Sequence, residues 1–161
     1  MKTLMLIRHA KSSWDNPNLH DHDRPLNERG ERNKVRMADF FASLTDRPDA
    51  IYTSTAVRAA SLATALSDAS DVRLMPEPAL YTFDSHALLS VLQCLPDAKQ
   101  CLAVVGHNPA ITDLVNRLAN ESMANVPTSG IVQLVCDLES WSELRTGCAD
   151  LARFTAPKML N

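Results

Sequence analysis

Two short runs, TLMLIR at residues 3–8 and CLAVVG at residues 101–106, are apolar at nearly every position instead of at every second one. A strand with one wet face alternates; a run that is apolar on both faces needs cover on both, which is the setting of a parallel strand between two layers of helices. Each run is also followed at once by a histidine, His9 and His107. The sheet therefore carries polar chemistry at the carboxyl ends of its most buried strands.

The intervening sequence supplies the helices. Asn27 predicts an N-cap for a helix reaching about residue 44, with Met37, Ala38, Phe41 and Leu44 on one face. Residues 49–54 predict a short strand, and Thr55 a cap for a helix through about residue 66, with Arg58 in its first turn. Residues 72–75 predict a further strand, and Asp84 a cap for a helix carrying Leu88, Val91, Leu92 and Leu95 that Pro96 stops. Asn108-Pro109 predicts the next helix start, with Ile111, Leu114, Val115 and Leu118 at helical spacing. Residues 131–138 and 150–155 predict late strands with no helix between them. The expected fold class is α/β: one domain over residues 1–161, a three-layer α/β/α sandwich with a mostly parallel sheet and an antiparallel edge strand.

Composition narrows the function classes. A net charge of −3 and a pI near 5.9 argue against a nucleic-acid binder. No apolar stretch is long enough to span a bilayer and the N-terminal run is too short for a secretory signal, so neither membrane nor export is expected and the address is cytoplasmic. Cys94, Cys101, Cys136 and Cys148 show no CxxC spacing and are expected to be reduced.

Arg8-His9, Arg58 and His107 fall at corresponding places in the βα rhythm. Ligands of open α/β sheets collect outside the strand carboxyl ends, so these segments are expected to converge on one pocket. Guanidinium forks and helix N-termini suit a phosphoryl group. With no GxxxxGK[ST] loop and only four glycines, a nucleotide-triphosphate cradle is disfavoured. Like charge from two arginines would keep the imidazole of His9 neutral and nucleophilic. The expected chemistry is attack of His9 on phosphorus, with Arg8 and Arg58 on the phosphoryl oxygens, His107 donating to the same group and Ser54 a further contact. The residues alone also allow a noncatalytic module that binds phosphorylated partners, although arginines would suffice for that.

Four blocks extend the pattern: RHAKSSWD (Arg8 to Asp15), RPLNERG (Arg24 to Gly30), TSTAVRAASLATAL (Thr53 to Leu66) and VVGHNP (Val104 to Pro109). In this order they resemble the histidine phosphatase superfamily, also called phosphoglycerate mutase-like, with Ala10 where the signature Arg-His-Gly has glycine. A late PTSG turn at Pro127 to Gly130 adds similarity to the small SixA-type phosphohistidine phosphatases. The resemblance implies a phosphohistidine intermediate on His9, a pocket completed by Arg8, Arg58 and His107, and no metal or other cofactor. It also implies a phosphorylated protein partner, such as a histidine-phosphotransfer domain, or else a small phosphorylated substrate.

Members acting on alcohol phosphates place an acidic proton donor where this chain reads PALYTFD, with Tyr81 and Thr82 there and only Glu77 and Asp84 flanking. Imidazole leaves with far less help than an alkoxide, so a phosphoramidate substrate is favoured. Asp15 takes the place of a phosphate-contacting Asn and would repel phosphate if it pointed inward. The stretch His20-Asp21-His22-Asp23 offers metal-ligand types, but an extended loop would alternate them to opposite sides, leaving a solvated, substrate-flanking segment.

Overall fold

The computed structural model describes residues 1–160. Six strands form one sheet: β1 (Lys2–Arg8), β2 (Ala50–Thr53), β3 (Arg73–Pro76), β4 (Cys101–Gly106), β5 (Ile131–Cys136) and β6 (Ala149–Thr155). Their spatial order is β3-β2-β4-β1-β5-β6. The first four run parallel, while β5 pairs antiparallel with both β1 and β6. Four helices cover it: α1 (Glu28–Ala42), α2 (Val57–Ser70), α3 (Ser85–Leu92) and α4 (Ala110–Ala119).

The two unbroken apolar runs lie at the centre and feed two separate cores. Leu4 and Leu6 of β1 join Leu102 and Val104 of β4 against Leu88, Leu92, Ile111, Leu114 and Leu118 of α3 and α4. Met5 and Ile7 join Ala103 and Val105 on the opposite face, against Met37, Phe41, Leu62 and Leu66 of α1 and α2. Each face is dry because each parity of the strand is apolar, as the sequence requires of a three-layer sandwich. Among the described residues no helix is long and apolar enough to cross a membrane.

Several boundaries differ from expectation. Thr55 does not cap α2: Ala56 holds the cap position without a side-chain bond, and the Thr55 hydroxyl meets His22 Nε2 at 2.8 Å. The helix continues past Leu66, its last core residue, to a left-handed Asp71. The helix after Asp84 ends at Leu92, because the approach to Pro96 tightens into turn bonds from Cys94 N–H to Val91 and Leu95 N–H to Leu92. Asn108 lies one residue before the cap of α4, yet its Oδ1 still accepts from the Thr112 amide and hydroxyl. The cysteines are free, with Cys136 and Cys148 buried.

Candidate active site

Register alone brings the two histidines together. Ile7 pairs with Val105 and Arg8 with Gly106 across β1 and β4, so both strands end at one level. The His9 amide donates to Gly106 O at 3.0 Å, and the two imidazole centroids lie 5.1 Å apart. β2 runs on the other side of β4, where the Ser54 amide donates to Val105 O at 3.0 Å, and Arg58 follows in the first turn of α2. The PTSG turn clamps the remaining side: the Ser129 amide donates to the carbonyls of Arg8 and His9, and the Arg8 amide to Gly130 O. Ser129 sits at φ 62°, a conformation that costs a non-glycine residue about 1–3 kcal/mol.

These ends surround a cleft of about 240 Å³ whose walls include Arg8, His9, Lys11, Ser12, Trp14, Asp21, Arg24, Arg58, Phe83, Asn108 and Thr128. His9 Nδ1 lies 2.7 Å from Ala10 O. A carbonyl only accepts, so Nδ1 carries the proton and Nε2 keeps a free lone pair. Burial pushes the His9 pKa down to about 4; the Ala10 carbonyl opposes this, and Arg58, Arg8 and Arg24 add to the fall. The ring is thus neutral mainly through desolvation, with the like charge of the arginines a smaller contribution than the sequence suggested.

His107 is held through a single hydrogen bond. Its Nε2 lies 2.8 Å from Ser54 Oγ, which already accepts from the Ala56 amide. That hydroxyl can serve Nε2 as donor or as acceptor, and the other ring nitrogen, Nδ1, is buried with no described partner. Burial first, then His9 and Arg58, lower the His107 pKa to about 3 against the pull of Asp21. Ser54 is fully buried and spends its hydroxyl on His107, so it positions the ring where direct contact with phosphate was expected.

The buried His107 Nδ1, Arg8 Nε and Arg58 Nε make no hydrogen bond to any described residue, nor does Ser129 Oγ beside Thr128. Buried donors without partners are costly. A cleft walled by Arg8 and Arg58, with the His107 ring against His9 behind that wall and more cations than carboxylates around it, is preorganised for an oxygen-rich anion.

The sequence did not single out the network that holds the arginines. Asp21 lies in a 3-10 turn (Asp21–Asp23), not the expected extended loop, and that turn aims its carboxylate inward. It accepts from Arg58 Nη2 at 2.8 Å, Arg24 Nη2 at 3.0 Å and the Tyr81 hydroxyl at 2.6 Å, while its backbone carbonyl accepts from Arg58 Nη1 at 2.7 Å. Burial would raise the Asp21 pKa, but the bonds from Tyr81, Arg58 and Arg24 outweigh it and hold the carboxyl well below its ordinary range. Arg24 is buried and also donates to Ser12 Oγ at 2.7 Å, with the exposed Trp14 ring stacked on its guanidinium at 3.5 Å. The signal available was RPLNERG itself, where an arginine precedes Pro25 in a loop.

Three other candidates lie elsewhere. Glu77 Oε2 caps the Ala79 amide and Asp84 caps the His86 and Ala87 amides; neither lines the cleft. Exposed Asp15 borders a different groove, with Ser13 and Glu28.

The family model described as Histidine phosphatase superfamily (branch 1) matches residues 4–88. An uncharacterized protein of Mycobacterium tuberculosis (strain H37Rv) is 30% identical over 162 residues, covering 94% of this chain and 100% of its own length. An uncharacterized chloroplastic protein of Arabidopsis thaliana is 46% identical over 57 residues, where the match spans 35% of this chain and 26% of that protein. Among solved structures, a protein assigned as phosphohistidine phosphatase SixA from Agrobacterium tumefaciens superposes with a TM-score of 0.82 at 29% identity, covering 97% of this chain and 98% of the other. The same fold recurs in a mycobacterial glucosyl-3-phosphoglycerate phosphatase, with a TM-score of 0.65 at 15% identity, covering 93% of this chain and 96% of that one.

Proposed function

The chain belongs to the histidine phosphatase superfamily, and we propose that, as a phosphatase of that superfamily, it hydrolyses protein phosphohistidine through a phosphoryl intermediate on His9. Nε2 of His9 attacks phosphorus as the P–N bond breaks to the substrate imidazole, which is protonated from solvent on its other ring nitrogen and leaves neutral. Arg8 and Arg58 hold the non-bridging oxygens, and Nδ1–H of His107 donates to the same group as charge redistributes. Water then attacks phosphorus, the P–Nε2 bond breaks, and inorganic phosphate leaves with His9 neutral again. The free Nε2 lone pair and the unpartnered donors support these roles.

The observation that carries the substrate reading is the lack of a carboxylic acid able to give up a proton among the described residues at the cleft. Its carboxylate is Asp21, kept ionised by Tyr81, Arg58 and Arg24, and the Tyr81 proton is committed to that carboxylate. An alkoxide leaving group needs a proton donor in the cleft; a phosphorylated imidazole takes its proton from solvent on the far ring nitrogen, with a pKa of about 6.5, and leaves as neutral imidazole. The SixA assignment of the Agrobacterium protein supports the same reading.

A side-by-side assay tests it, using a phosphohistidine peptide, phosphoramidate, an aryl phosphate and an alkyl phosphate, each with and without EDTA. The alkyl ester is expected to turn over about a hundredfold or more slowly than the phosphohistidine peptide, the loss typical of a missing general acid, with no effect of EDTA. Comparable rates on both would overturn the substrate reading in favour of small phosphate esters.

A further inference from the structure

Beside the cleft lies a row of cations that the chemistry does not use. Arg29, Arg32 and Arg36 occupy one exposed face of α1 at i, i+3 and i+7, and with Lys158 they border a groove of about 430 Å³. None of the four makes a hydrogen bond or ion pair to any described residue; the nearby Glu31 is taken by Lys34 at 2.7 Å. In a chain of net charge −3 this is a local excess of positive charge, with no acidic residue lining the groove itself. Thr128 walls both this groove and the His9 cleft, so the two open side by side.

Resting on the phosphohistidine reading, we propose that this groove docks an acidic stretch of the phosphorylated protein whose phosphohistidine enters the cleft. Arg29 to Arg36 spans about 10 Å along the helix axis, more than one phosphate can engage and matched to carboxylates spaced along a polypeptide. The cleft rim suits a macromolecule as well: Trp14 is 72% exposed and Phe83 47%, the aromatic anchors that protein interfaces favour. Asp15 and Glu28 border the adjoining groove beside Arg29 and Arg32, and they set a register by repelling an acidic partner that slides too far.

Two phosphohistidine peptides of equal length test the proposal, one flanked by Asp and Glu, the other by Ser and Gln, with phosphoramidate as the reference. The acidic peptide is expected to show a kcat/KM about tenfold higher at low salt, carried by KM and lost at high ionic strength. The combined variant Arg29→Ala, Arg32→Ala, Arg36→Ala should abolish that preference while phosphoramidate turnover stays within about twofold. Equal kcat/KM on the two peptides would refute docking, as would a parallel fall on phosphoramidate or preferential capture of a small bisphosphate over the acidic peptide. Fluorescence anisotropy of the unphosphorylated acidic peptide reads docking independently of turnover. Failure of the phosphatase reading would show instead as an inert phosphoramidate.

Discussion

Replacing Asp21 with Asn keeps the shape of the side chain and removes the charge that orders two buried arginines. Arg58 is 2% exposed and draws Nη2 to the Asp21 carboxylate, while Arg24, also buried, donates to the same group through Nε and Nη2. An amide offers one oxygen, so it can serve one guanidinium and must turn its NH₂ toward the other or toward the Tyr81 hydroxyl. Hydrogen bonds to charged groups contribute about 1.5–3 kcal/mol each, but the Asp21 side chain is 41% exposed and solvent screens it. A net loss of about 2 kcal/mol is the reasonable magnitude, and at about 2–4 °C per kcal/mol for a chain of this size the melting midpoint should fall by about 4–8 °C. Because folding depresses the Asp21 pKa, its contribution is present above the unfolded value near pH 4 and fades as pH falls through the folded one, so the two proteins should converge in stability in strong acid. With Arg58 left only its bond to the Asp21 backbone carbonyl, kcat/KM on a phosphohistidine peptide should drop about 10- to 100-fold. Thermal melts and steady-state kinetics read both numbers. An unchanged midpoint would refute the positioning role, and a rise in kcat/KM would show that the carboxylate competes with the phosphoryl group for Arg58.

Other outcomes follow from the same geometry. The His9 pKa of about 4 predicts that kcat/KM stays flat from neutral pH down to about pH 5 and declines only as the nucleophile protonates; a half-loss near pH 6.5 would contradict it. His9 and His107 both have folded pKa values below the unfolded one, so the unfolded chain binds those protons first, and stability should erode as pH falls from about 6.5 toward 4, measurable by urea titration. Ser54→Ala removes the hydroxyl that holds His107 Nε2; stability should fall by about 1–2 kcal/mol and kcat should fall more than KM changes, whereas unaltered kcat would count against that positioning role. Gly30→Ala drives a methyl group into the Lys11 carbonyl, which also accepts from the Asn27 amide, and should cost about 1–3 kcal/mol by urea titration.

What could be read from the sequence was what local pattern determines. Two apolar runs give two buried strands, and their shared end level places His9 beside His107 once they pair; Arg58 follows because it lies one turn into the next helix. Asp21 was hidden because its role depends on Arg58 and Tyr81, which lie far from it in sequence, and a 3-10 turn reversed the direction that an extended chain would give it. Glu77 and Asp84 looked like acids by position but are consumed by backbone amides, a commitment that depends on where a turn and a helix begin. The basic row on α1 was not singled out from the sequence, because only the fold sets Thr128 between it and the cleft.

The central claim is that His9 carries the phosphoryl group. Rapid quench of the protein during turnover of labelled phosphoramidate, followed by peptide mass spectrometry, should find an acid-labile, base-stable phosphoryl group on the peptide containing His9 and none in His9→Ala, which should release no phosphate. Phosphate release by His9→Ala at the native rate, or label on any other residue, would contradict it.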